Sequence, residues 1–254
     1  MNVVIIGSGN VATVFARLLF KHQHTILQVY SRNILMANEL AETVDAIGLS
    51  DLSTITQEAD LYIIAVADKA IESIVKQLQL SNQLVVHTAG SVAIEVLEQV
   101  SSNYGVLYPI QSIRKEIDLD TPIPFAVDGS SIAVVEQLKE LAFSLSNKVV
   151  HYNNSQRLKL HVAAIFACNF VNYMYVQSAN FCEKEQLDFK VLQPLIEETA
   201  NRLKSHHPAE VFTGPAVRGD ADTINKHLSL LEEHPQLQVL YKLLSEQIMQ
   251  QFKV

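Results

Sequence analysis

Cysteine occurs only twice in this 254-residue chain, at Cys168 and Cys182. Two thiols make no disulfide framework, and no metal-ligand spacing surrounds them. Both fall in one helical pattern, where their separation corresponds to about 20 Å along the axis, too far to bridge. They read as reduced thiols of a cytoplasmic protein without a metal. Positive charge is also short. Lys and Arg number 19 against 27 Asp and Glu, a formal net charge of −8. Such a chain lacks the field that gathers nucleic acid or anionic membrane, although a local basic pocket is still permitted. Long apolar runs are missing as well. The longest, Leu160–Val176, is interrupted by His161, Asn169 and Asn172 and falls short of a membrane span. The opening run Val3–Ile6 stops at Gly7, too soon for the apolar core of a secretion signal. With 48% apolar and 18% charged residues the composition is that of a folded protein, with apolar content for one large core or two modest ones.

The first half alternates short β-rich runs with helical patterns. Strands are expected at Val3–Ile6, Ile26–Tyr30, Leu61–Val66, Leu84–His87, Gly105–Tyr108, Phe125–Val127 and Lys148–His151. Helices are expected at Asn10–Lys21, Ile34–Val44, Lys69–Gln79 (with Asp68 as its N-cap), Ala93–Val100 and Ile132–Ser144. Leu61–Val66 barely alternates, as expected of a strand covered by helices on both faces. This order predicts a doubly wound, mostly parallel α/β sheet over residues 1–153. Strand signals are absent from about Gln156 onward. Long 3.6-period segments follow at Arg157–Glu183, Phe189–Ser205, Asp222–Leu231 and Gln236–Lys253, which predicts a smaller all-α domain over 154–254.

Gly7-Ser8-Gly9-Asn10-Val11-Ala12 is a G-x-G-x-x-A pattern set between the first strand and the first helix. Gly7 permits a tight turn, Gly9 lets the backbone approach a pyrophosphate, and Ala12 lets helix and strand pack closely. The helix start offers unpaired N–H groups and positive potential to phosphates. In that context the pattern predicts a dinucleotide site formed by Gly7, Ser8, Gly9, Asn10 and Val11. The end of the second strand then selects the cofactor. Tyr30-Ser31-Arg32-Asn33 carries no acid for a ribose hydroxyl. Arg32 can fork onto a 2′-phosphate, with Ser31 and Asn33 adding hydrogen bonds, so NADP is expected over NAD. Ala65-Val66-Ala67, His87–Ser91 and Tyr108–Ser112 follow later strands and are expected to line the same crevice.

These motifs carry a family resemblance. Val4–Ala12, Tyr30-Ser31-Arg32 and Asp60–Val66 resemble the reductases related to Δ1-pyrroline-5-carboxylate reductase and the deazaflavin-dependent NADP reductases. The fuller likeness is to Rossmann-like oxidoreductases whose C-terminal half is a helical domain of unknown function. It extends to Tyr108–Ser112, His161–Asn169 and Thr213–Asp220, nearly the whole chain. The resemblance implies an NADP-dependent reductase that dimerises through its helical half, and it implies no substrate. Where the pyrroline reductases carry a strand-end Lys-Pro this chain has Ala67-Asp68. Thr213–Asp220 stands where their substrate loop lies, so proline synthesis is not carried over.

In the second half, His161, Cys168 and Asn172 fall within about 20° of one line on an ideal helix, with Asn169 to one side. Buried among apolar neighbours they need partners, either a ligand or an interhelical network. His161 is the candidate proton donor and His87 a second acid–base candidate. Asn169 is expected to orient the reacting atom and Arg218 to hold an anionic group. Arg218 and Asp220 can equally pair with each other, and Asp220 can cap the next helix. The expected activity is hydride transfer between NADP(H) and a small carbonyl or imine, in a homodimer joined by the C-terminal helices. A non-catalytic NADP-binding protein is the alternative.

Overall fold

The computed structural model describes residues 1–253. The chain divides into two compact units, Met1–Asn169 and Phe170–Val254.

The first unit is built on β1 (Asn2–Ile6), β2 (Thr25–Tyr30), β3 (Ile47–Leu49), β4 (Leu61–Ile64), β5 (Leu84–His87), β6 (Tyr104–Pro109), β7 (Phe125–Gly129) and β8 (Val149–His151). They form one sheet in the order β3-β2-β1-β4-β5-β6-β7-β8. Every pairing is parallel except β6 with β7. Its helices are α1 (Asn10–Lys21), α2 (Ile34–Glu42), α3 (Asp68–Val75), α4 (Ile132–Leu145) and α5 (Asn154–Ala164). Successive strand residues point to opposite faces, and both faces are covered. Val3, Ile5, Leu61, Ile63, Leu84 and Val86 pack with apolar residues of α1, α2 and α4. Val4, Ile6, Tyr62, Ile64 and Val85 pack with α3 and with the 3-10 turn Ile94–Leu97. This is the doubly wound, Rossmann-like architecture expected from the order of elements.

Three local expectations change. β3 carries no strand signal of its own, being three residues with Gly48 in the middle. The helix expected at Ala93–Val100 is only the 3-10 turn, because the buried Ile94, Leu97 and Val100 recur every third residue, the 3-10 period. Asp68 is the first residue of α3, after the cap Ala67, and its carboxylate accepts a hydrogen bond from Ser91 Oγ.

The antiparallel pairing of β6 with β7 sets the direction of the chain beyond it. Because β7 runs against β6 and β8 runs with β7, α5 starts from the opposite end of the sheet and climbs back toward the carboxyl ends of β1, β4 and β5. Its first turn is held by a capping box between Asn153 and Gln156. Asn154 Oδ1 accepts from Ile94 N–H at 3.2 Å and from Arg157 Nη2 at 2.8 Å, and Arg157 also reaches the Val92 carbonyl at 2.5 Å. Arg157, 1% exposed, ties α5 to the first unit. The sequence put the domain boundary at Asn153; the contacts divide the chain 16 residues later for this reason.

After α5 the chain makes a π-helical segment, Ile165–Phe170, within which the two units divide. The second unit comprises α6 (Val171–Lys184), α7 (Gln193–Arg202), α8 (Ala221–Leu230), α9 (Pro235–Phe252) and short 3-10 turns, and it is all-α among the described residues. The unbroken helix expected over Arg157–Glu183 is thus interrupted, and residues beyond the π segment lose the 100° phase on which the His161–Cys168–Asn172 line depended. The unit buries few side chains, among them Cys182, Ala216, Ile224, Leu231, His234 and Ser245. Tyr173, Val176, Leu195, Val239 and Leu243 are all more than 45% exposed. Among the described residues no helix is long and apolar enough to cross a membrane, and no group of three potential ligands could hold a metal ion.

Candidate functional site

At the carboxyl end of β1 the sheet order switches direction, with β2 on one side and β4 on the other, the position where open α/β sheets bind ligands. The chain turns there at Gly7, whose φ is +133°. A Cβ at this residue would lie 2.2 Å from the Ala65 carbonyl oxygen at the end of β4. The Gly7 N–H donates to the Tyr30 carbonyl of β2 at 2.8 Å, so the turn is fixed to both neighbouring strand ends. Gly9 is different: nothing lies within 4 Å of where its Cβ would be. Its bareness matters only to something that comes to rest on it. α1 starts immediately afterwards with no side-chain cap and no acid in its first turn, which leaves leading N–H groups and the positive helix end for an anion.

These residues form one wall of a groove of about 510 Å³. It is lined by Gly7, Ser8, Gly9, Asn10 and Val11 from the loop and α1, by Tyr30, Ser31 and Arg32 from the end of β2, and by Ala65, Val66 and Ala67 from the end of β4. Asp68, Thr88, Ala89 and Ile113 complete much of the remainder. The Ser8 hydroxyl donates to the Ser31 hydroxyl at 2.8 Å, joining the glycine loop to the end of β2. Arg32 is exposed on the groove and makes no ion pair among the described residues. Asn33 does not line the groove; its side chain caps α2 by accepting from Leu35 N–H at 3.0 Å. The dimensions, the bare Gly9, the uncapped helix start and the free guanidinium fit a dinucleotide with an additional phosphate.

A second cavity, of about 570 Å³, adjoins this groove and shares Val11, Thr88 and Ile113 with it. Tyr108–Ile113 from the end of β6 form one side. Leu160, His161, Ala163 and Ala164 of α5, with Ile165, Ala167, Cys168 and Asn169 of the π segment, form another. The wall is mainly apolar, with Tyr108, His161, Gln111, Ser112, Thr88 and Asn169 as its polar groups. His161 Nδ1 lies 2.9 Å from Tyr108 Oη, with the two rings edge to face. A Cβ on Gly90 would meet His161 Nδ1 at 2.8 Å and Tyr108 Cζ at 2.9 Å, so the pair rests directly on bare backbone. Burial pushes the Tyr108 hydroxyl above its ordinary pKa and Asp68 adds to that; the Arg157 guanidinium pulls the other way.

The structure separates the residues that sequence reasoning grouped as catalytic. His161 and Asn169 line one cavity. His87 lines neither and is fully buried. Burial, aided by the nearby Arg157, lowers its pKa to about 4, while the Ala93 backbone pulls slightly upward without bonding the ring in ordinary geometry. Its Nδ1 accepts from Ala89 N–H at 3.2 Å. A neutral ring sealed in the sheet exchanges no protons with a substrate, so the acid–base expectation for His87 is withdrawn. Arg218 belongs to the second unit and is exposed. It forms no ion pair with Asp220, whose carboxylate caps α8 through Thr223 N–H at 3.0 Å and Thr223 Oγ1 at 2.8 Å. Sequence reasoning placed Tyr108 in the crevice wall but missed its partnership with His161, which brings together residues 53 positions apart.

The chain matches two family descriptions, an NADP oxidoreductase family described as coenzyme F420-dependent over residues 2–90 and a domain of unknown function, DUF2520, over residues 123–248. It is 40% identical to a Bacteroides fragilis protein proposed as an NADP oxidoreductase, covering 98% of both chains with a TM-score of 0.88. The chain belongs to the Rossmann-type NADP oxidoreductases that carry this C-terminal domain. The fold of this oxidoreductase is also that of an imine reductase from Myxococcus stipitatus solved with NADP+ (13% identity, 100% and 94% covered, TM-score 0.71). It is likewise that of a 1-pyrroline-5-carboxylate reductase from Streptococcus pyogenes (15% identity, 100% and 98% covered, TM-score 0.67). No curated protein matches the oxidoreductase.

Proposed function

We propose that this oxidoreductase reduces a small carbonyl or imine with NADPH, and that the reacting bond lies in the cavity walled by Tyr108 and His161. The observation that carries this reading is the wall shared by the groove and the cavity at Val11, Thr88 and Ile113. A dinucleotide with its phosphates over Gly7–Val11 and its 2′-phosphate at Ser31 and Arg32 has its other end free to extend toward that wall. Bound NADPH supplies the hydride; the chain supplies a mostly apolar wall with a proton source at one side. Asn169 is suited to orient the reacting atom. The fold is shared with an imine reductase, which favours a C=N or C=O substrate.

The cofactor preference is tested by titrating NADPH and NADH against the wild type and Arg32→Ala. NADPH is expected to bind more tightly to the wild type. Loss of Arg32 should weaken NADPH by about 1.5–3 kcal/mol, a charge-assisted hydrogen-bonded pair, and NADH hardly at all. Equal affinities in the wild type would exclude the NADP assignment.

The same reading includes a homodimer through the C-terminal helices. Val162, Tyr173 and Val176 are each between 46% and 51% exposed in the single chain, and apolar surface of that extent is covered in stable assemblies. Sedimentation at micromolar concentration should give twice the chain mass of 28.3 kDa; a species of single mass would end the proposal.

A further inference from the structure

The reduction proposed above needs a proton as well as a hydride, and resting on that reading we infer that Tyr108 is the residue that delivers it, with His161 as the positioning residue behind it. The sequence pointed to His161, with His87 as a second candidate. The geometry orders the two differently. His161 presents Nδ1 to the tyrosine rather than to open space, at 2.9 Å. If Nδ1 carries hydrogen, it donates to Tyr108 Oη, and the hydroxyl proton of Tyr108 is left to point into the cavity that both residues line. Gly90 makes this possible, since any Cβ there would collide with both rings. α5 is held at the required height by Arg157, one turn before His161, through the Val92 carbonyl.

The chemistry closes on these atoms. Reduction of the C=O or C=N carbon forms a C–H bond, breaks the π bond and leaves an electron pair on the oxygen or nitrogen. The nicotinamide is oxidised and the substrate reduced by two electrons. The Tyr108 O–H bond then breaks and a new O–H or N–H bond forms on the substrate. The resulting tyrosinate is held by the His161 N–H and by the field of the buried Arg157 cation, and it regains its proton from water. Burial keeps Tyr108 protonated at neutral pH, in the form that can donate.

The test combines a titration that needs no turnover with a rate. Tyrosine labelled with 13C at Cζ, assigned through Tyr108→Phe, reports the ionisation of Tyr108 in the intact protein. His161→Ala should move that ionisation to higher pH by about one unit, because the tyrosinate loses a hydrogen-bond donor. His161→Asn, whose amide N–H lies near the Nδ1 position, should recover part of the shift. Rates are measured with NADPH and two probes, an uncharged cyclic imine and an uncharged aromatic aldehyde. Tyr108→Phe should lower turnover by about 10²-fold with NADPH affinity unchanged. His161→Ala should lower it less and displace the pH profile. If the wild type reduces a probe and Tyr108→Phe does so equally well, Tyr108 is not the donor and the reductase reading stands. A Tyr108 ionisation indifferent to His161 overturns the pairing. A wild type that reduces neither probe overturns the donor role together with the reading beneath it.

Discussion

Replacing Gly7 with alanine is expected to unfold the cofactor side of the oxidoreductase, whereas the same change at Gly9 should leave the fold intact and impair only nucleotide binding. At Gly7 two penalties add. The backbone sits at φ +133°, where an L side chain is strained by about 1–3 kcal/mol. The new Cβ would also stand 2.2 Å from the carbonyl of Ala65, the residue after β4, whose N–H is tied to the Ile6 carbonyl at 2.8 Å, so this backbone cannot easily step aside. Together the cost should be about 3–5 kcal/mol, a large part of the stability of an ordinary domain. At Gly9 the φ is −80° and the space is empty. Stability should change by less than about 1 kcal/mol there. On the proposed placement of the cofactor, the methyl group would instead occupy space that the pyrophosphate needs, so NADPH affinity should fall by tenfold or more. Chemical denaturation of the two variants, followed by NADPH titration of Gly9→Ala, separates the effects. Equal stability of Gly7→Ala and the wild type would show that the turn is not locked against β4.

Acid should destabilise the protein through His87. The ring is neutral in the fold with its pKa lowered to about 4, and it returns to the ordinary value of 6.5 on unfolding. Between those values the unfolded chain binds more protons than the folded one, so stability rises with pH and is lost as pH falls from 6.5 toward 4. The full contribution is about 3 kcal/mol. His24, also lowered by partial burial, acts in the same direction. The difference between wild type and His87→Asn isolates His87. The asparagine amide oxygen can take the place of Nδ1 toward Ala89, and the variant cannot be charged. It should be less stable at pH 7 because it leaves a void, yet its stability should decline less between pH 6.5 and 5. Parallel curves for the two proteins would mean that His87 does not titrate during unfolding.

Much of the groove could be read in the sequence because each of its features has a local cause. Gly7, Gly9 and Ala12 lie within one turn of chain, and Ser31 and Arg32 sit at the first strand end after it. Short-range rules describe such arrangements well. The cavity was harder because it depends on chain reversal at β7 and on a helix climbing back to Tyr108, relations between residues far apart in sequence. His87 misled for a related reason. A histidine at a strand end resembles a crevice residue until the 3-10 turn Ile94–Leu97 is seen to pack over that part of the sheet. The π segment had no signal either, since Ile165–Phe170 carries the composition of an ordinary buried helix. Such segments are frequent at functional sites, and this one supplies Cys168 and Asn169 to the cavity wall.

The helical wall of that cavity includes three methyl side chains, those of Ala163, Ala164 and Ala167. Its capacity is therefore adjustable one side chain at a time. Valine or leucine at any of the three would shrink the chamber while leaving the backbone, the Tyr108–His161 pair and the nucleotide groove where they are. Gly90, against which the Tyr108 and His161 rings rest, has no such latitude. On the proposed reading, a fixed Tyr108–His161 pair stands beside an interchangeable lining, so the range of molecules admitted could change faster than the chemistry performed on them.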